Sequence, residues 1–142
     1  MSDSSAGRIL VVDDHELNLK LLRCVLELGG YEVEGVDRLA AAESVIANDP
    51  PDLIVLDLWL PDGNGLDLAR RVKSNPRTAG CIIVACTAGA MKGDRERALE
   101  AGCDDYISKP IDTLGFLEQV SALLGSPRTD AAARIATSSP TD

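Results

Sequence analysis

The run Leu53-Ile54-Val55-Leu56 is the feature that most narrows what this chain can become. It is bounded by Pro50-Pro51 before and Pro61-Asp62-Gly63 after, so it is too short for a buried helix. An unbroken apolar run of this length reads as a strand covered on both faces, as in parallel sheets. It ends in a carboxylate, Asp57, followed by Leu58, Trp59 and Leu60 and then a turn with Gly63 and Gly65. In an open α/β sheet the chemistry sits at the carboxyl ends of the strands, so Asp57 stands where a site is expected. Taken alone, Asp57 could equally end a strand or cap a turn.

The same arrangement recurs along the chain. RILVV at 8–12 ends in Asp13-Asp14, CIIVAC at 81–86 runs into Thr87, and a short strand at 105–108 leads into Lys109-Pro110. Residues 31–36 alternate and read as a strand nearer an edge. Helical patterns fill the gaps. Leu17, Leu21, Leu22, Val25, Leu26 and Leu28 form an apolar stripe stopped by Gly29-Gly30. Leu39, Ala42, Val45 and Ile46 follow Asp37, a candidate cap, and Leu66, Leu68, Ala69 and Val72 precede the stop at Asn75-Pro76. A charged segment at 91–101 offers only Met91, Ala98 and Leu99 for burial, and a helix anchored so lightly is a candidate moving part. Asp112 can cap a last helix with Leu114, Leu117, Val120, Leu123 and Leu124 inward. Five strand–helix pairs in alternation predict a doubly wound, three-layer (βα)5 fold with a parallel five-stranded sheet of order 2-1-3-4-5. The domain is expected over 8–124, with a flexible lead at 1–7 and a disordered tail at 125–142 that has little to bury.

Charge and composition limit the partners. The formal net charge is −9, from 14 Lys plus Arg against 23 Asp plus Glu. That balance disfavours nucleic acid and anionic membranes, which need clustered cations, and suits a site whose carboxylates hold a cation. No run approaches the ~18 apolar residues of a membrane span, and the opening MSDSSAGR lacks the apolar core of a signal peptide. Cys24, Cys81, Cys86 and Cys103 show no metal-ligand spacing and read as buried free thiols, so a cytoplasmic location is expected.

In the expected order, strands one and three are neighbours, and Asp13, Asp14 and Asp57 converge at the switch point of the sheet. Like charges at that range repel unless a cation lies among them. Mg²⁺ suits oxygen ligands, keeps several waters and pairs carboxylates with phosphate oxygens. Lys109 at the end of the fifth strand supplies an ammonium for a phosphate oxygen, and Thr87 at the end of the fourth supplies a hydroxyl. These are the parts needed to move a phosphoryl group onto Asp57, where catalysis is mainly positioning and charge neutralisation.

The motifs VVDDHE, LIVLDLWLPDGNG, VACTAGAMKGD and DDYISKPID, in that order, closely resemble the receiver domain of two-component response regulators. The resemblance covers residues 8 to about 124 and is nearest to stand-alone receivers and those attached to hybrid histidine kinases. Order 2-1-3-4-5 is also that family's own, so the topology and the resemblance are not independent grounds. The resemblance implies that Asp57 is the phosphoacceptor, charged from a phosphohistidine on a histidine kinase or a histidine phosphotransfer protein. It implies Asp14, Asp57 and the Trp59 backbone carbonyl as Mg²⁺ ligands, with Asp13 acting through a metal-bound water. Thr87 resembles the switch hydroxyl, Lys109 the phosphate-binding lysine, and Tyr106 the aromatic that swings inward. Pro110 implies a cis Lys109–Pro110 peptide. Output is expected as protein binding through the face of the fourth helix, fifth strand and fifth helix, or as phosphorelay, with autodephosphorylation.

Other residues carry plainer readings. His15, the single histidine, reads as solvent-facing at a helix start, and Gly63 and Gly65 as turn-formers, since no P-loop spacing is present. Trp59 and Gly89 flank the approach of water to Asp57. Two other functions compete. An adaptor that works without phosphate sits poorly with the intact Asp13, Asp14, Asp57, Thr87 and Lys109. A phosphohydrolase of the haloacid dehalogenase type needs a second Asp two residues after the nucleophile, where this chain has Trp59.

Overall fold

Each continuous apolar run becomes a strand in the computed structural model, which describes residues 7–87, 93–108 and 111–128. The strands are β1 (Arg8–Val12), β2 (Glu32–Val36), β3 (Leu53–Asp57), β4 (Ile82–Thr87) and β5 (Asp105–Ser108). They form one parallel sheet in the order β2-β1-β3-β4-β5. The predicted order therefore holds. β3, at the centre, is buried along its whole length, whereas β2 at the edge has no fully buried residue.

The helices are α1 (Glu16–Leu28), α2 (Leu39–Asn48), α3 (Gly65–Ser74), α4 (Asp94–Glu100) and α5 (Thr113–Arg128). Strand side chains alternate between faces. Leu10, Val12, Ile54, Leu56, Ile83 and Ala85 point to one face and form a core with Leu39, Ala42 and Ile46 of α2, Leu66, Leu68, Ala69 and Val72 of α3, and Ala98 of α4. On the other face α1 lies over β2 at Gly35, where an added Cβ would meet Leu19 Cδ1 at 2.9 Å. A strand glycine here makes room for a helix.

Several expected burials do not hold. In α1 only Leu22 and Leu26 are fully buried, whereas Leu17, Leu21 and Leu28 are exposed. The apolar stripe is wider than the strip of sheet available beneath it, so its outer row, which includes the exposed Cys24, faces outward. In α4, Leu99 is exposed and Ala98 is the buried side chain; Met91 lies outside the described residues. In α5, Leu114 is exposed, whereas Phe116, Val120 and Leu124 are buried at a spacing of one helical turn. The expected cap on α2 is also different: Asp37 pairs with Arg38, and the cap comes from Asp62.

Lys73 joins the end of α3 to the segment before β4 and to Asp104, 31 residues further on. Its ammonium donates to the carbonyls of Ala79 (3.3 Å) and Cys81 (2.7 Å) and to Asp104 Oδ2 (2.9 Å). The same Asp104 oxygen accepts from the Ile83 amide at 2.8 Å. The end of α3 is thereby fixed to the starts of β4 and β5.

Candidate functional site

The carboxyl ends of β1 and β3 bring Asp13, Asp14 and Asp57 together. Val12 pairs with Leu56 in the register, so the next residue of each strand emerges at the same edge. Each of the three acids has a carboxylate oxygen within 4.8 Å of the others. Asp13 and Asp57 are buried and Asp14 is exposed. Two oxygens on opposite sides of one Mg²⁺ lie about 4.2 Å apart, so the three acids need little movement to share such an ion. The donor set is all oxygen, with one member open to solvent for the ion's waters. Among the described residues the acids fit that cation.

Local hydrogen bonds orient these carboxylates. Asp13 accepts from the His15 amide (2.8 Å) through Oδ1 and from the Asn18 side-chain amide through Oδ2. His15 itself is the N-cap of α1, its Nδ1 accepting from the Asn18 amide at 3.4 Å. This is the plain role expected of an exposed histidine at a helix start. Asp57 Oδ1 accepts from the Trp59 amide at 3.2 Å. Trp59 is 63% exposed. A cleft of about 590 Å³ beside the cluster is lined by Asp13, Asp14, Glu16 and Asp37, which extends its acidic character.

The segment after Asp57 is more ordered than a plain loop. Trp59–Leu60 and Gly63–Asn64 pair antiparallel in a short hairpin, with Pro61 and Asp62 at its turn. Asn64 then caps α3, its side chain accepting from the Leu66 amide at 2.8 Å. Gly63 has φ +151°, in keeping with a turn-former. Gly65 has a different reason to be glycine: an added Cβ would stand 2.6 Å from the Asp57 carbonyl oxygen. No local signal in the sequence distinguishes these two glycines.

Thr87 ends β4, its backbone paired in register with Ser108, while Asp57 pairs with Cys86. The ends of β3, β4 and β5 thus share the edge at which the acids gather. Tyr106, on β5, is half-buried against the core formed with α2 and α3. Lys109, Pro110 and Gly89 lie outside the described residues.

The family model for the response regulator receiver domain matches residues 9–121. The chain belongs to the response regulator receiver family. Polar-differentiation response regulators DivK of Brucella anthropi and Brucella ovis are each 38% identical over 117 residues, spanning 82% of this chain and 95% of theirs. Among solved structures, the CheY-like receiver domain protein of Methanospirillum hungatei is 30% identical with a TM-score of 0.79, covering 87% of this chain and 98% of its own. A two-component response regulator from Clostridium difficile is also 30% identical, with a TM-score of 0.78 over 83% and 95% of the two chains. This receiver therefore has the flavodoxin-like, CheY-type fold. No helix among its described residues is long and apolar enough to cross a membrane.

Proposed function

We propose that this receiver is a phosphorylation-dependent switch that takes a phosphoryl group onto Asp57 from a phosphohistidine of a histidine kinase or phosphotransfer protein. The observation that carries this reading is the convergence of Asp13, Asp14 and Asp57 at one sheet edge. Asp57 is a central, buried strand-end carboxylate with an amide donor already on one oxygen, which holds its orientation for attack. Its carboxylate oxygen forms a bond to phosphorus as the phosphorus–nitrogen bond breaks. The released electron pair returns to the imidazole nitrogen, and an acyl phosphate remains on the receiver. Water attack on that phosphorus later restores the carboxylate and releases inorganic phosphate, so the receiver catalyses both its own charging and its own discharge.

Asp14, Asp57 and the Trp59 carbonyl would hold Mg²⁺, which when bound neutralises charge on the transferring phosphoryl oxygens. Asp13 is the buried member whose two oxygens already accept hydrogen bonds, which fits a role through a metal-bound water. The assignments of Lys109 to a phosphoryl oxygen and of Thr87 and Tyr106 to the switch rest on the family resemblance. In that reading the Thr87 hydroxyl is drawn to the phosphoryl group and Tyr106 moves into the space behind it, altering the surface offered to a protein target. The exposed leucine row of α1 starts just past Asp14, so it borders the site at which a protein donor must arrive.

Incubation with Mg²⁺ and acetyl phosphate tests the proposal. Mass spectrometry should find one added phosphoryl group, mapped to Asp57, absent in Asp57→Asn and absent when EDTA replaces the metal. A wild-type protein that stays unmodified in these conditions would leave a phosphate-independent adaptor as the better reading.

A further inference from the structure

We propose that Asp62 is a positioning residue for the Asp57 site, tethering the hairpin that carries Trp59 to the first turn of α2. The inference rests on the phosphoacceptor reading above and adds a residue that the four motifs do not assign. Asp62 Oδ1 accepts from the Leu39 amide at 2.8 Å and Oδ2 from the Ala40 amide at 3.0 Å. A helix start leaves such amides without intrahelical partners, and they are usually met by the residue at the N-cap itself. Here that residue is Arg38, in extended conformation, which makes no side-chain cap and pairs with Asp37 instead. The cap is supplied from a turn 23 residues away.

Both carboxylate oxygens are used on successive amides, so the side chain cannot rotate without losing one. Those two amides hold the Asp62 carboxyl below the usual carboxylate range. The neighbouring residue presses the turn onto the same helix: a Cβ on Gly63 would meet Leu39 Cδ1 at 2.9 Å. From the turn, the hairpin pairs Leu60 with Gly63 and Trp59 with Asn64. Trp59 then donates its amide to Asp57 Oδ1. A continuous path therefore runs from the start of α2 through Asp62 and the hairpin to the acid expected to carry phosphate. Asp62 is exposed, so its loss opens no cavity, and an effect at Asp57 must travel along this path.

The structure also separates tethering from capping. Arg38→Ser would give α2 its own cap, so in an Arg38→Ser/Asp62→Ala double variant the helix is capped but the turn is untied. Amide hydrogen exchange at Trp59 and Gly65 in metal-free protein reports the tether, since these amides donate to Asp57 Oδ1 and to the Leu58 carbonyl. The fluorescence of Trp59, the single tryptophan, reports Mg²⁺ affinity. In Asp62→Ala, exchange at both amides should rise about 10-fold and Mg²⁺ should bind about 10-fold more weakly. The double variant should regain the melting temperature of the wild type and neither of the other properties. Unchanged exchange in Asp62→Ala, or recovery of all three properties together in the double variant, overturns the proposal. If wild-type Asp57 accepts no phosphoryl group, the phosphoacceptor reading fails on its own, and the exchange measurement still decides whether Asp62 holds the hairpin.

Discussion

A Cβ on Gly65 would stand 2.6 Å from the carbonyl oxygen of Asp57, a separation that real side chains do not tolerate. α3 begins at this glycine, and its amide donates to the Leu58 carbonyl at 2.9 Å. The start of the helix and the end of β3 are thus in direct backbone contact at the site. Gly65→Ala should force them apart, costing about 1–3 kcal/mol of stability, as overpacking does. Urea denaturation gives the stability change, and acetyl phosphate labelling should show slower modification of Asp57. A variant as stable and as readily labelled as the wild type would mean the backbone yields without consequence.

Thr87→Ala should leave Asp57 open to phosphorylation yet weaken the response that follows. A ligand shifts a two-state equilibrium only through its differential interaction with the states, and moving one from 1:99 to 99:1 takes about 5.5 kcal/mol. The hydroxyl is one of several contributors to that difference. NMR shifts of the Tyr106 ring before and after acetyl phosphate treatment should move less in Thr87→Ala than in wild type. Equal movement in both would remove Thr87 from the switch.

Lys73→Met keeps most of the side-chain volume and removes every hydrogen bond that the ammonium makes. The carbonyls of Ala79 and Cys81 and the Asp104 carboxylate lose a donor together. Replacing a charged donor in a partly buried position costs about 1–3 kcal/mol. A thermal melt of the two proteins measures it. No change in melting temperature would show that water substitutes fully for the ammonium.

Among the cysteines, burial pushes the Cys103 thiol up from its ordinary 9.0 to about 11, with Asp104 raising it further and Lys73 opposing. Burial raises the Cys81 thiol too. The folded state therefore favours the protonated thiols. For Cys103 that contribution to stability is complete below the ordinary 9.0 and is lost as pH rises through the folded value of about 11. At pH 8 iodoacetamide should modify exposed Cys24 rapidly and Cys81, Cys86 and Cys103 far more slowly. Peptide mapping that found Cys103 alkylated as fast as Cys24 would contradict this burial.

Much of the architecture was legible because its signals are local. A strand buried on both faces has no room for polar side chains, so 8–12, 53–57 and 81–86 announce themselves as apolar runs. The acids were legible for a related reason. A polar residue directly after such a run must emerge at the sheet edge, and neighbouring strands bring Asp13, Asp14 and Asp57 to the same edge. The helices were read less well. Periodicity reveals an apolar stripe but not its covered width, so Leu17, Leu21, Leu28 and Leu99 were expected inside and are exposed. Leu114 was assigned inward, yet Phe116 two residues later is the buried side chain.

The amino-acid sequence alone determined the alternation of strands and helices, the central place of β3 and the identity of the acids that meet there. Each follows from burial or from an abrupt change of polarity within a few residues. Tertiary structure decided that Asp62 and not Asp37 caps α2, that Lys73 joins α3 to two strands, and that Gly65 is glycine for lack of space beside Asp57. Those relationships depend on partners brought together by packing, and hydrogen-bond donors and carbonyls occur along the whole backbone. Nothing in a residue's immediate neighbours states which distant one it will meet.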